Sequence, residues 1–199
     1  MDSQAIQRVT EAIRQRLVNA IRTQANPNPV VFVGPLHDDG ADDAYLVLFL
    51  YRAVPNADLR NTPHVVPGPL PDSEPTVYEN ALPLDLYYIL TAGGRSDGGE
   101  FESLLRLGQA MQALNDQPLF AGTALDGEVV RVTLYPATGD EMSRVWALFP
   151  DQNYRTSMLY LASPVWIDPA LRPLPAEPVV DTPHRIGPRE VPPDAARLS

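Results

Sequence analysis

The chain has no cysteine, so disulfides, thiol catalysis and Cys-ligated zinc or iron–sulfur centres are excluded. It also has no lysine: arginine supplies all 15 basic side chains, against 25 acidic ones, for a net charge of −10. That deficit of positive charge argues against a nucleic-acid-coating role, which needs a basic face to neutralise phosphates. The missing lysine also removes the residue that a Walker A phosphate loop places after its last glycine; Glu100 stands there. Long apolar runs are lacking too. The longest, residues 45–51, is strand-sized and far below the ~18 residues that a membrane-spanning helix needs. The first residues, Met1-Asp2-Ser3-Gln4, carry neither a basic nor an apolar leader region. The reading is synthesis in the cytoplasm without a signal peptide. The final location, in the cytoplasm, docked on a membrane or released, stays open.

What the chain has in excess is proline, 22 in 199 residues, about twice the usual ~5%. Six crowd residues 55–76 and nine lie in the last 36 residues, from Pro164 onward. Because proline cannot donate to a ladder, residues 55–76 read as a surface loop and the C-terminal run as an extended, polyproline-like arm. The expected division is a domain over residues 1–168 and an arm over 169–199.

Periodicity supplies the elements. Ile6, Val9, Ile13, Leu17 and Ile21 recur at helical spacing, with Ser3 as expected N-cap and Asn26-Pro27-Asn28-Pro29 as the stop. Residues 30–33, 45–51, 84–90, 129–135 and 154–167 read as strands. Residues 45–51 do not alternate, which suits a strand covered on both faces. In residues 129–135, Val130, Val132 and Leu134 are expected on the inner face. Phe101, Leu104, Leu105, Gly108, Met111 and Leu114 mark a second helix, with Asp97 and Glu100 at capping-box spacing. A third opens at the capping box Thr138-Gly139-Asp140-Glu141 and carries Met142, Val145, Trp146 and Phe149 on one face. The expected fold class is α/β (α+β): a mixed sheet packed, mostly on one side, by about three helices, with the proline-rich arm trailing.

Each reactive-looking cluster meets a plainer reading. Gly94-Arg95-Ser96-Asp97-Gly98 fits G-x-S-x-G between a strand and a helix, as a nucleophile elbow does. The only histidine after Ser96 is His184, in the arm, where nothing fixes it as a general base. The segment reads as a flexible glycine loop. His37-Asp38-Asp39-Gly40-Ala41-Asp42-Asp43 lacks EF-hand spacing and reads as a solvated turn. His64 has no partner visible in sequence. Trp146 reads as a core anchor. The chain is therefore read as non-enzymatic, with no catalytic residue, cofactor or metal. A small serine hydrolase using Ser96 and a monomeric adaptor binding through the arm remain the alternatives.

Three blocks carry a resemblance: residues 82–92 (Leu82-Pro83-Leu84-Asp85-Leu86-Tyr87-Tyr88 onward), residues 107–118 (Leu107-Gly108-Gln109-Ala110-Met111 onward), and Glu141-Met142-Ser143-Arg144-Val145-Trp146 followed by Tyr154-Arg155-Thr156-Ser157. In that order they resemble the cap, or tube-terminator, proteins of extracellular contractile injection systems, the phage-tail-like particles of the antifeeding-prophage and virulence-cassette type. The chain departs at Asn115-Asp116-Gln117, where members carry a histidine. The resemblance implies a phage-tail-terminator-like fold and a ring, expected to be a hexamer, that ends the inner tube and sheath. The implied partners are the chain itself, the tube protein and the sheath protein, with no nucleic acid and no membrane span. Interfaces are expected on the short third helix and after it (Arg144, Trp146, Tyr154, Arg155) and on the arm (Pro173, Pro175, Pro178, Arg185).

Overall fold

The first helix, α1 (Ala5–Ala20), buries Val9, Ile13 and Leu17 along one stripe, the spacing its sequence shows. The computed structural model describes residues 2–68, 74–95 and 98–170. After α1 come β1 (Val31–Val33), α2 (Asp39–Asp42), β2 (Leu46–Pro55), β3 (His64–Val66), β4 (Thr76–Tyr78), β5 (Leu82–Ala92), α3 (Gly99–Asp116), β6 (Leu119–Phe120), a 3-10 turn (Thr123–Leu125), β7 (Val130–Leu134), α4 (Gly139–Trp146) and β8 (Ser157–Ile167). Six strands form one mixed sheet in the order β1-β2-β5-β8-β7-β6, with β1 parallel to β2 and every other pair antiparallel. β3 and β4 form a separate hairpin.

Side chains alternate across a strand, so each strand serves two cores. Tyr88 and Leu90 of β5 face the larger core with α1 and α3, whereas Ile89 between them joins Leu36, Val47, Val145, Trp146, Phe149 and Leu159 beneath α2 and α4. The sheet is therefore covered on both faces, not mostly on one. Residues 46–48 of β2 are buried on both sides, as the absence of alternation predicts. The larger core holds a buried polar pair: the Tyr88 hydroxyl donates to Thr10 Oγ1 at 2.8 Å, and Thr10 Oγ1 donates to the Ile6 carbonyl at 2.7 Å. Burial pushes the Tyr88 phenol up to about 12.

Several expectations change. Ser3 does not cap α1; Gln4 is the N-cap residue, without a side-chain cap, while Asp2 Oδ1 accepts from the Gln4 amide. Gly98 is the N-cap residue of α3, again without a side-chain cap, and Asp97 of the expected capping box lies outside the described residues. The third box holds: Thr138 Oγ1 accepts from the Glu141 amide at 3.2 Å. The acidic segment around His37 is solvated, as expected, with Asp38, Asp39, Asp42 and Asp43 exposed, and residues 39–42 close one helical turn as α2. Residues 55–76 are not all loop either. Pro55 ends β2, and β3 pairs with β4 in the register Val65↔Val77. Pro164 belongs to the domain: Ser163 and Pro164 together face Asp85 at a bulge between β5 and β8, the setting in which a sheet tolerates proline. Val130 and Val132 are buried as expected, whereas Leu134 is 53% exposed.

The largest change concerns α3. Its core stripe is Ser103, Leu107, Ala110 and Leu114, whereas Phe101, Leu104 and Leu105, expected inside, are 90%, 43% and 55% exposed. In the same helix a Cβ at Gly108 would meet nothing within 4 Å. Gly108→Ala should therefore stabilise the protein by about 0.5–1 kcal/mol, the glycine penalty inside a helix, read as a higher midpoint in denaturant.

Candidate interaction surface

Two ends of the sheet matter, and they are opposite. β5 and β8 run antiparallel, so Thr91 pairs with Ser157 at one end and Leu82 with Ile167 at the other. The arm leaves at the second.

At the first end, β5 runs into Gly93 and Gly94, which lie directly against residues 41–45. The Gly93 amide donates to Tyr45 O (3.0 Å), Gly94 to Ala41 O (2.8 Å) and Arg95 to Ala44 O (3.0 Å). This part of the glycine loop is pinned, not flexible. Ser96, the alternative nucleophile, and His184 lie outside the described residues. Tyr45 is held between two guanidinium groups, Arg106 at 4.0 Å and Arg95 at 5.0 Å from its ring centroid, and Arg106 also pairs with Glu102 at 3.1 Å. These contacts fix the first turns of α3. Beside them lies a groove of about 330 Å³ lined by Gly94, Glu100, Ser103, Leu104, Tyr154 and Arg155.

Two of the four described interface candidates come together here. Tyr154 is 68% exposed and its ring lies 5.1 Å from that of Trp146. Arg155 donates to the Ala92 carbonyl at 3.2 Å, tying the segment before β8 to the end of β5. Trp146 itself is buried, as a core anchor should be, and its indole N–H has no acceptor among the described residues. Arg144 stands apart on the outer face of α4, paired with Asp140 at 2.7 Å. Pro173, Pro175, Pro178 and Arg185 lie outside the described residues.

At the second end is a group that sequence reading did not find. His64 of β3 is buried, with Nδ1 2.6 Å from Asp168 Oδ1 and Nε2 3.0 Å from Glu128 Oε1. Its ring stacks on Trp166 at 4.5 Å and 8°. Burial alone would lower the imidazole pKa; the two carboxylate hydrogen bonds and their charges outweigh it, so the net shift is upward. Only the imidazolium donates from both ring nitrogens, and both nitrogens face carboxylates. The clasp joins the hairpin, the turn before β7 and the last residue before the arm. No local signal announces it, because Glu128 and Asp168 are 64 and 104 positions away from His64.

The class of the protein follows from the fold: it is a mixed α+β sheet domain of the kind found in tube-terminating caps. The sheath/tube terminator of the PVC extracellular contractile injection system, in its extended state, superposes with a TM-score of 0.55 at 15% identity over 92% of this chain. The tube-terminating cap of the anti-feeding prophage superposes with a TM-score of 0.53, also at 15% identity, over 85% of this chain. The chain spans 64% and 58% of the length of those two proteins. More narrowly, it belongs to the Pvc16 N-terminal domain family, whose sequence model matches residues 8–181. No curated protein matches it. Among the described residues no helix is long and apolar enough to cross a membrane.

Proposed function

We propose that the protein is a structural cap of a phage-tail-like contractile injection system, which closes into a ring on the end of the inner tube and sheath and stops their polymerisation. The observation that carries this reading is membership of the Pvc16 N-terminal domain family over residues 8–181, on a fold shared with two tube terminators. The partners on this reading are further copies of the chain, six in all, with the tube protein and the sheath protein. The two ends of the sheet offer different chemistry, a pinned groove and an arm root. A closed ring needs this asymmetry, since its contacts are head-to-tail.

The test is deletion of the gene in a strain that makes the particle, followed by tube-length measurement in negative-stain micrographs. Tubes of widely scattered or excessive length, restored by the full chain, are expected. An unchanged, sharp length distribution would overturn the cap reading. Truncation after Asp168 keeps the His64 clasp. It should leave the unfolding midpoint nearly unchanged while weakening attachment to neighbouring subunits or sheath in a pull-down. Loss of folding would instead place residues 169–199 within the domain.

A further inference from the structure

The first turns of α3 present a stripe that the domain does not use. Phe101, Leu104 and Leu105, at i, i+3 and i+4, are 90%, 43% and 55% exposed. Leu104 and Tyr154 line the groove beside that stripe, together with Glu100 and Arg155. Exposed apolar side chains and an aromatic ring along a groove are the chemistry that receives proline-rich segments, because rings pack against pyrrolidines. This chain carries such a segment. Residues 171–199 contain seven prolines, and their four arginines are balanced by four acidic residues, so it is the prolines that suit the groove.

We propose that the exposed Phe101–Leu104–Leu105 stripe of one copy, with the Leu104–Tyr154 groove beside it, receives the proline-rich arm, residues 171–199, of the next copy. This rests on the ring reading above and names the contact that joins the copies. Position and the ring reading select a second copy as the donor. The arm leaves the sheet at the Ile167 end and the groove lies at the Ser157 end, a strand of 11 residues or roughly 36 Å away. Twenty-nine residues at about 3.1 Å each reach at most roughly 90 Å, enough for the chain's own groove or a neighbour's, and only the second joins copies head to tail. A donor end and an acceptor end on opposite sides of one subunit make a heterologous contact that repeats from copy to copy until a ring closes.

The absence of cysteine provides a clean test, because introduced thiols are the only ones present. Full-length Phe101→Cys and full-length Leu174→Cys are purified separately, mixed and oxidised, with Asp58→Cys, an exposed position, replacing Phe101→Cys as control. The expected result is a disulfide-linked dimer containing one of each variant, at least tenfold above the control. A doubly substituted chain should then give a ladder of linked copies. A doubly substituted chain that only closes on itself would overturn the exchange, because the arm would then serve its own groove. No cross-link between the two variants, where light scattering shows the wild type to be a higher oligomer, would overturn the groove while leaving the ring intact. No cross-link between them, where the wild type is a monomer, would overturn both. As an independent readout, Phe101→Ser with Tyr154→Ser, both at exposed positions, should raise the oligomer dissociation constant at least tenfold.

Discussion

His64→Ala should destabilise the protein by about 3 kcal/mol, because it removes the cation that bridges two largely buried carboxylates. Glu128 and Asp168 have side chains 14% and 13% exposed, so water can replace little of what the imidazolium supplies. Removing one partner from a buried charged set costs about 3–5 kcal/mol, far more than the set contributes over a neutral replacement. The lower figure applies because both carboxylates keep some contact with solvent. A second variant separates this from lost packing against Trp166. Adding Glu128→Gln and Asp168→Asn to His64→Ala should restore part of the stability, since no charge is left buried. If the triple variant were no more stable than His64→Ala, the ring stack and not the charge would be the main contribution.

The same group sets a pH dependence with a definite sign. The folded-state pKa of His64 lies above its ordinary value of 6.5. The folded protein therefore holds this proton more tightly than the unfolded chain. The contribution is fully present below pH 6.5 and is lost as pH rises through the folded value, at up to about 1.4 kcal/mol per pH unit. His64→Ala should abolish that slope, as measured by urea unfolding between pH 6 and 9. A second decline belongs to the tyrosines. Tyr51, Tyr88 and Tyr160 are pushed up to about 12 by burial, so their contribution is lost only above the ordinary value of 10, and the two windows separate.

The sequence made the strands and helices legible where one physical signal was enough. Helical spacing placed α1, the capping box placed α4, and the lack of alternation in residues 45–51 marked a strand whose first residues, 46–48, are buried on both faces. The errors came where the signal was non-local or misleading. His64 lies among prolines, and only the folded sheet brings Glu128 and Asp168 to it. In α3 the bulky residues Phe101, Leu104 and Leu105 suggest the inner face by hydrophobicity alone. The face that packs is built partly from Ser103 and Ala110, which are small enough to let the helix approach the sheet. The exposed stripe is thus a departure from the ordinary rule, and such departures point to interfaces. Of the candidate interface residues, Trp146 and Tyr154 lie on different sides of the stop at Pro150, and only the fold sets their rings 5.1 Å apart.

Gly93→Ala should be nearly as damaging as the loss of His64, for an unrelated reason. A Cβ at Gly93 would lie 2.1 Å from the Ala44 carbonyl oxygen and 2.6 Å from its carbon. Both are backbone atoms, so no side chain can swing aside. The position does not need a left-handed backbone; the penalty is therefore steric, and it falls on the three hydrogen bonds that hold residues 93–95 to residues 41–45. Overpacking of this kind costs about 1–3 kcal/mol, and with backbone on both sides the upper value, about 3 kcal/mol, is expected. Buried Trp146 and Trp166 supply the fluorescence signal for denaturant titration. Gly108→Ala provides the control, since the same added methyl group enters open space and should shift the midpoint the other way. The position also carries a consequence for assembly. Gly93–Arg95 sets where α3 begins, and α3 carries the exposed stripe, so a displaced loop moves Leu104 relative to Tyr154. At denaturant concentrations where Gly93→Ala is still folded, the cross-link between Phe101→Cys and Leu174→Cys should already be weaker in that background. An equally strong cross-link there would mean that the groove does not depend on the loop beneath it.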